Sequence, residues 1–212
     1  MIHMNIVMFG ATGTLGSRIL DELVSRGNSV TAVIRDPCKL PSRENVIGTS
    51  SDIFDPRAVA DAVRGADVVV SAYGPGPGSP DLLLKATDSL IKGIEASGVK
   101  RLVVVGGAGG LDVRPGVRLV DTHDFPPEWK GIALAHIQAL ELLKQSKLEW
   151  ACLSPAANIH PGERTGHYRL GADELVTDEN GNSEISAEDF AIALADEVEN
   201  PRHHRQRFTA AW

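Results

Sequence analysis

Three glycines near the N-terminus lie at a spacing that suits phosphate binding. Gly10, Gly13 and Gly16 follow an apolar, strand-like run and directly precede a segment with helical periodicity. In this context the first glycine allows a tight turn, the second lets a pyrophosphate approach the backbone, and the third lets the helix pack closely on the strand. The free N–H groups and positive dipole at the helix N-terminus would hold the phosphates. The motif therefore predicts a dinucleotide site, and the alternative is a tight turn that binds no ligand.

Arg35 stands at the end of the second predicted strand, where the charge of the side chain determines whether NAD or NADP is preferred. Asp or Glu at this position accepts a hydrogen bond from the ribose 2′-hydroxyl of NAD, whereas an arginine can pair with the 2′-phosphate of NADP. The residue thus predicts that NADP(H) is preferred and that NAD(H) is also usable. Asp36 beside it opposes this preference, and an ordinary surface arginine is the alternative.

The segments that must position these residues alternate between short β-branched runs and helix-period stretches. Near-continuous Val and Ile runs are typical of parallel strands that are buried on both faces. Strands are predicted at Ile6–Phe9, Ser29–Ile34, Val68–Ser71, Leu102–Val105 and Trp150–Leu153. Helices are predicted at Ser17–Arg26, Pro56–Arg64, Pro80–Ser97 and Lys130–Gln145. This alternation predicts an α/β fold with a doubly wound, mostly parallel sheet, that is, a Rossmann fold.

The last quarter of the chain has a different pattern. Short strands are predicted at Tyr168–Leu170, Leu175–Thr177 and Ser183–Ile185, and a turn at Asn180-Gly181 joins the last two. A helix opens with the capping sequence Ser186-Ala-Glu-Asp189 and ends near Asn200, and Gln206–Ala210 is one more strand. We expect a single domain over residues 1–212, with a small C-terminal addition at about 158–212 that packs on the carboxyl edge of the sheet, on the substrate side.

Composition limits the classes of partner. The chain has 212 residues, 42% of them hydrophobic, and a net charge of −7 at pH 7. An acidic chain without a basic tract is a poor candidate for binding nucleic acid or an anionic membrane, and no apolar run approaches the ~18 residues of a membrane span. No secretory signal is visible, and Cys38 and Cys152 match no metal spacing or disulfide framework. These features predict a cytoplasmic protein with reduced thiols, no metal site and a small-molecule partner, and they leave the oligomeric state open.

Several phrases of the sequence resemble one superfamily along nearly the whole chain. GATGTLGS, Asp52-Ile53, VVVSAYG, VVVGGAGG and LSPAAN match motifs of the short-chain dehydrogenase superfamily, in its extended and atypical branches. In that superfamily the last four motifs follow or end the third, fourth, fifth and sixth strands. More narrowly, HIQALELLKQSKLEWACLSPAANI followed by TGHYRL resembles the NAD(P)H-binding, NmrA-like group. That group includes NADH-flavin reductases and biliverdin-IXβ/flavin reductase.

The resemblance implies a role for each matched position in a cofactor site. Asp52 and Ile53 would hold the adenine ring, the end of the fourth strand would line the adenosine ribose, and the turn at Pro155 would border the nicotinamide. Asp52 has an alternative role in a local turn, because Asp often bonds its own backbone. The expected cofactor-binding residues are Gly10, Thr12, Gly13, Thr14, Leu15, Gly16, Arg35, Asp52, Ile53, Ser71, Ala72, Tyr73, Gly106, Gly107, Pro155 and Ala156.

The residues for carbonyl chemistry in that superfamily are missing. Its classical members use a Tyr-x-x-x-Lys pair and a serine, with the tyrosine donating a proton. Four residues beyond Tyr73 and Tyr168 stand Pro77 and Ala172, and no serine ends the fifth strand. His136, on the helix that would carry the tyrosine, is the candidate catalytic proton donor, and a structural role is its alternative.

Hydride transfer to a flavin needs the orientation of two rings rather than an acid–base pair. The glycines of Gly106–Gly110 predict a floor with room for a flat ring. Trp129 is either a wall of that site or plain core, and the other candidate walls are Tyr73 and the loop Asn158–His167. Two further loops, Pro75–Pro80 and Leu111–Pro127, are either lids or ordinary connections.

These observations predict an NAD(P)H-dependent oxidoreductase that prefers NADPH and reduces a flavin or a similar flat acceptor. The flavin would be a substrate rather than a bound prosthetic group. An NmrA-like redox sensor that binds NAD(P)(H) without turnover is the second interpretation. An NAD(P)-dependent epimerase or dehydratase is the third, and the missing acid–base pair counts against it.

Overall fold

The computed structural model describes residues 3–37, 40, 42–76 and 78–212, and within them strands and helices alternate as predicted. In chain order the strands are β1 (Asn5–Phe9), β2 (Ser29–Val33), β3 (Val46–Thr49), β4 (Val68–Ser71), β5 (Arg101–Val105), β6 (Asp112–Arg114), β7 (Val117–Arg118), β8 (Glu149–Ser154), β9 (Asn158–His160), β10 (Arg169–Gly171), β11 (Glu184–Ser186) and β12 (Gln206–Ala211). The α-helices are α1 (Thr14–Ser25), α2 (Pro56–Ala62), α3 (Pro80–Ser97), α4 (Pro127–Gln145) and α5 (Ala187–Glu199).

Eight strands form one sheet in the order β10-β12-β8-β5-β4-β1-β2-β3. Every neighbouring pair is parallel except β10 and β12, which are antiparallel. The chain leaves β1 toward β2 and β3 and returns on the other side of β1 to β4 and β5. The carboxyl ends of β1 and β4 therefore flank a topological switch point, where doubly wound sheets bind ligands. The predicted doubly wound, mostly parallel fold is confirmed.

The helices cover both faces of this sheet. Apolar residues of α1 and α5 share one core with the sheet, among them Ile19, Leu23 and Phe190. Apolar residues of α2, α3 and α4 share the other core, among them Val59 and Ile94. The strands between are buried on both sides, which explains why their sequences are runs of Val and Ile rather than alternating patterns.

Two predicted helix caps are present. The Asp55 side chain accepts a hydrogen bond from the Arg57 N–H at the start of α2, and the Ser186 side chain accepts one from the Asp189 N–H at the start of α5. Each satisfies a backbone donor that the first turn of a helix leaves unpaired.

The C-terminal addition differs from its prediction. β12 and β10 extend the sheet sideways beyond β8 instead of packing on its carboxyl edge. The predicted strand at Leu175–Thr177 is wrong, because this segment pairs with no strand among the described residues. The preceding residue, Glu174, forms a single β-bridge with Asp112. The segment folds back over β10, where a Cβ on Gly171 would lie 2.6 Å from the Val176 side chain. The predicted turn before β11 is present, with Gly181 at φ +84°.

The segment Leu111–Pro127 is more ordered than a surface loop. It contains the β6–β7 hairpin and a 3-10 turn at Leu119–Asp121. Leu111 and Val120 are buried, so two side chains of this segment belong to the interior. The predicted lid is therefore anchored at both of these points. Pro77 of the other predicted lid lies outside the described residues.

Cys152 is a free thiol on β8. Its pKa is raised to about 12, because burial disfavours the thiolate and the charge of Arg207 opposes this only in part. A thiol with that pKa is protonated and unreactive near neutral pH. Cys38 lies outside the described residues. Among the described helices, none is long and apolar enough to cross a membrane.

Candidate nucleotide-binding site

In the glycine turn between β1 and α1, two glycines are required by packing and one faces open space. A Cβ on Gly10, which has φ +78°, would lie 2.5 Å from the Ala72 carbonyl carbon, and a Cβ on Gly16 would lie 1.9 Å from the Gly10 oxygen. Both positions must therefore be glycine for the turn to pack on β4 and α1 on β1. A Cβ on Gly13 would meet only the Gly10 oxygen, at 3.5 Å. The second glycine thus leaves room on the outside of the turn, where the motif predicts the pyrophosphate.

The first turn of α1 has unpaired donors beside this open position. Gly13 is the N-cap and supplies no side-chain hydrogen bond, and the Ser17 N–H is the first to bond back, to the Gly13 oxygen at 2.9 Å. The N–H groups of Thr14, Leu15 and Gly16 are therefore available to an anion. Thr12, Gly13 and Thr14 are exposed, whereas Leu15 packs against the core.

Arg35 lies just beyond the carboxyl end of β2 with an exposed side chain. Among the described residues it has no ion-pair or hydrogen-bond partner. Its charge acts on Tyr73, whose pKa is raised because burial disfavours the phenolate, with Arg35 opposing that rise. Arg35 therefore places an exposed positive charge just beyond the carboxyl end of β2.

Asp52 takes part in a local turn, which was the alternative to its adenine role. Its Oδ1 accepts the Phe54 N–H at 2.9 Å, and Oδ2 has no partner in the described part of the chain. Ile53 packs against the core under α2 and α3. Phe54 is 41% exposed and meets the ring of Tyr73 edge to face, with centroids 6.0 Å apart.

Phe54 was missed by the sequence analysis. The only signal for it was an aromatic residue directly after the Asp52-Ile53 pair, and its position beside Tyr73 depends on the return of the chain through β4. The aromatic pair gives the crevice an apolar wall beside the Asp52–Phe54 turn.

The carboxyl end of β4 connects this wall to the glycine turn. The Ala72 N–H donates to the Phe9 oxygen at 2.9 Å, and the buried Ser71 Oγ accepts the Tyr73 N–H at 3.5 Å. Tyr73 also packs against an apolar cluster of α3 and α4 that includes Leu83 and Ile132. The structure thus brings the glycine turn, Arg35, the Asp52–Phe54 turn and the end of β4 to one crevice.

Packing inside the protein requires glycine at several positions of the predicted floor, Gly106–Gly110. A Cβ on Gly106 would lie 2.7 Å from Cys152 Sγ, and a Cβ on Gly107 would lie 2.9 Å from His136 Cγ. A Cβ on Gly109 would lie 2.7 Å from the Ala133 Cβ on α4. The Cβ directions of these glycines point into the protein, so their lack of a side chain is explained by the close approach of β8 and α4.

His136 packs on Gly107 from α4, and burial lowers its pKa to about 4. The imidazole is therefore neutral near pH 7, and among the described residues it has no hydrogen-bond partner. A neutral imidazole is a poor acid, so the structure argues against the predicted role as proton donor.

A small cavity of about 30 Å³ lies beside His136 between α3 and α4. It is lined by Ser71, Tyr73, Thr87 and Cys152, by the glycine at 106 and by aliphatic side chains. Such a volume can hold a water molecule but not a flavin, since ligand pockets for drug-sized molecules are several hundred Å³. A flat acceptor would have to bind outside it.

The other predicted residues lie at the same end of the sheet. Pro155 and Ala156 are buried directly after β8, and the Gly106 N–H donates to the Leu153 oxygen at 2.8 Å, which joins that turn to the end of β5. Trp129, on the first turn of α4, is 50% exposed, so its core alternative is wrong.

The turn, the uncapped helix and Arg35 fit a nicotinamide dinucleotide, and comparison with known proteins decides the family. Residues 10–201 match the model of the NAD(P)H-binding family. The chain belongs to that family.

Three solved structures superpose on this chain over almost their whole length. A protein from Burkholderia pseudomallei described as a candidate exported protein is 49% identical, with a TM-score of 0.90 and coverage of 99% of this chain and 100% of its own. A candidate epimerase from Bacteroides thetaiotaomicron is 39% identical, with a TM-score of 0.94 over 100% and 98% of the two chains. A candidate NADH-flavin reductase from Streptococcus pneumoniae is 34% identical, with a TM-score of 0.87 over 98% and 99%. This chain therefore has an NAD(P)H-binding Rossmann fold of the oxidoreductase type.

Proposed function

We propose that this protein is a reductase that prefers NADPH and passes a hydride to a flavin, or to a similarly flat acceptor, that binds as a substrate. The observation that carries the proposal is the combination of an open dinucleotide turn with a half-buried, neutral His136 where a carbonyl reductase would need an acid. Similarity to a candidate NADH-flavin reductase supports the same acceptor class.

The preference for NADPH rests on Arg35. Its guanidinium is exposed at the end of β2 and has no partner among the described residues, so binding a 2′-phosphate would break no existing ion pair. A charge-assisted pair with the phosphate would favour NADPH over NADH. NADH, which lacks that group, remains a usable and weaker cofactor.

The residues of the chain contribute binding and orientation. The N–H groups of Thr14–Gly16 would hold the pyrophosphate, and Phe54 with Tyr73 would wall the adenosine. Bound NADPH supplies the hydride. No side chain need transfer a proton, because a reduced flavin can take its second proton from water. The protein then lowers the activation barrier mainly by orienting the nicotinamide and the acceptor ring.

A redox sensor is the second candidate, and exposed apolar side chains on α4 favour it. Trp129 is 50% exposed and Leu134 is 37% exposed, on the helix that packs against the end of β5. Exposed apolar groups near a nucleotide site suit a protein partner that responds to the bound nucleotide. The epimerase interpretation is not adopted, because no Tyr-x-x-x-Lys pair is present.

Cytoplasmic location and a small-molecule partner belong to the same proposal. The acidic charge of −7 argues against nucleic acid and anionic membranes as partners. The unpaired thiol of Cys152 is consistent with a reducing compartment.

Incubation of the protein with NADPH and a panel of flavins, quinones and aldehydes tests the proposal. We expect oxidation of NADPH with flavins and little with aldehydes. His136→Ala should lower kcat with free flavin by less than ~10-fold, below the 10²–10⁴-fold that a positioned acid contributes. A loss above ~100-fold with nucleotide binding intact would show that a proton donor is essential.

A further inference from the structure

Residues Pro161–Gly166, here called the bridging loop, connect β9 to β10 and are tied to the start of α5. The Gly162 N–H donates to Glu188 Oε2 at 2.8 Å, and the Thr165 N–H donates to Asp189 Oδ1 at 2.8 Å. Asp189 is fully buried. The main chain of the loop is thus fixed by two adjacent carboxylates in the first turn of α5.

Glu188 also reaches the helix that carries the dinucleotide turn. Its Oε1 accepts Arg18 Nε at 3.1 Å, while Arg18 Nη1 donates to the Thr14 oxygen at 3.1 Å and to Ser17 Oγ at 3.3 Å. One carboxylate therefore holds the loop with one oxygen and the first turn of α1, through Arg18, with the other.

A second ion pair joins the same two elements one turn along α1. Arg164 of the bridging loop makes paired hydrogen bonds to Glu22, at 3.0 and 2.9 Å. Burial opposes ionisation of Glu22, but the hydrogen bonds from Arg164 and Arg26 outweigh it and its pKa is lowered. Glu22 is only 7% exposed, so this attachment is partly shielded from solvent.

We propose that Arg18 and Glu188 are positioning residues that transmit nucleotide binding at α1 to the bridging loop. The inference rests on the proposed function for its consequence, since the loop follows the end of β8 and would border the acceptor. Phosphate bound by the first-turn N–H groups restrains Thr14 and Ser17, whose oxygens hold Arg18. The restrained Arg18 then fixes Glu188, and with it the acceptor of the Gly162 N–H.

Hydrogen exchange at Gly162 tests the connection without turnover. Saturating NADPH should slow exchange of this N–H at least ~5-fold in the parent protein, because local opening becomes less favourable when its acceptor is restrained. In Arg18→Met and in Glu188→Gln the slowing should fall below ~2-fold. Asp88→Asn is the matched control, since Asp88 pairs with Lys92 at 2.6 Å on the surface of α3, and it should behave as the parent.

Kinetics test the consequence for the acceptor. Each variant should raise the KM for free FMN by ~5–10-fold while the Kd for NADPH changes by less than ~2-fold, and the double variant should be no worse than either single one, because both remove the same interaction. A purely structural role would lower the melting temperature and leave the FMN KM and the NADPH-dependent exchange unchanged.

Equal slowing of Gly162 exchange in the parent and both variants would overturn the proposal. If the parent reduces no acceptor, the proposed function fails, while the exchange experiment still decides whether Arg18 and Glu188 connect the two elements.

Discussion

Replacing Gly13 with valine should abolish nucleotide binding and leave the fold intact. Gly13 has φ −75° and ψ 172°, a conformation that any residue adopts, and its Cβ would meet only the Gly10 oxygen at an ordinary 3.5 Å. Glycine is itself a moderate N-cap, so its loss costs helix stability only about 1 kcal/mol. The new side chain occupies the space outside the turn.

The expected loss of affinity follows from the hydrogen bonds at stake. Hydrogen bonds to a charged group contribute about 1.5–3 kcal/mol each. If valine keeps the pyrophosphate from two N–H groups of the first turn, the loss is about 3–6 kcal/mol, or more than ~100-fold in Kd.

Calorimetric titration with NADPH, combined with thermal unfolding, separates the two effects. Gly16→Ala is the matched variant, since its Cβ would lie 1.9 Å from the Gly10 oxygen, and it should lower the melting temperature. Gly13→Val should keep the melting temperature near that of the parent. A folded Gly13→Val variant with the parent's affinity for NADPH would refute the assignment of the turn.

Three further changes test the charge at β2, the protonation of His136 and the packing beneath the site. We expect NADPH to bind at least ~10-fold tighter than NADH, which corresponds to the ~1.4 kcal/mol that one charge-assisted pair can supply. Arg35→Asp should reverse this preference in a binding titration. Equal affinities of the parent protein for NADPH and NADH would contradict the role of Arg35. The pKa of His136 is lowered from 6.5 to about 4. Between these two values the unfolded chain binds a proton that the native state excludes, so stability is full above pH ~6.5 and falls as pH decreases toward ~4. His136→Asn should therefore flatten the melting temperature against pH in that window, and parallel curves for the variant and the parent would rule this out. Gly107→Ala should lower the melting temperature because its Cβ would lie 2.9 Å from His136 Cγ, and adding His136→Ala should recover part of the loss; additive losses would show that the two sites do not interact.

The sheet could be predicted because its signal is local. Buried runs such as Val68–Ser71 and capping residues such as Asp55 and Ser186 specify their own elements, and the chain alternation then restricts the topology. The predicted strand at Leu175–Thr177 failed although β10 is an edge strand of the sheet, because an apolar run can pack through its side chains as well as pair through its backbone. Here it folds over β10 beside Gly171 instead.

The site was predictable where one motif carries the geometry and not where distant elements meet. A glycine in a sequence can indicate either the approach of a ligand or close packing, and the atoms around its Cα distinguish the two. An added Cβ on Gly13 would face open space, whereas one on Gly107 would meet His136 of α4. The neutral state of His136 and the position of Phe54 beside Tyr73 likewise depend on burial and long-range contacts that no local pattern contains.

The most direct test of the central claim is an anaerobic single turnover of the protein–NADPH complex mixed with free FMN. The loss of reduced nicotinamide absorbance and the bleaching of the flavin should follow the same rate constant, and deuterium at the transferred position of NADPH should slow both. A complex that binds NADPH tightly, yet leaves its absorbance unchanged with FMN and with every other flavin offered, would contradict a reductase and favour the sensor.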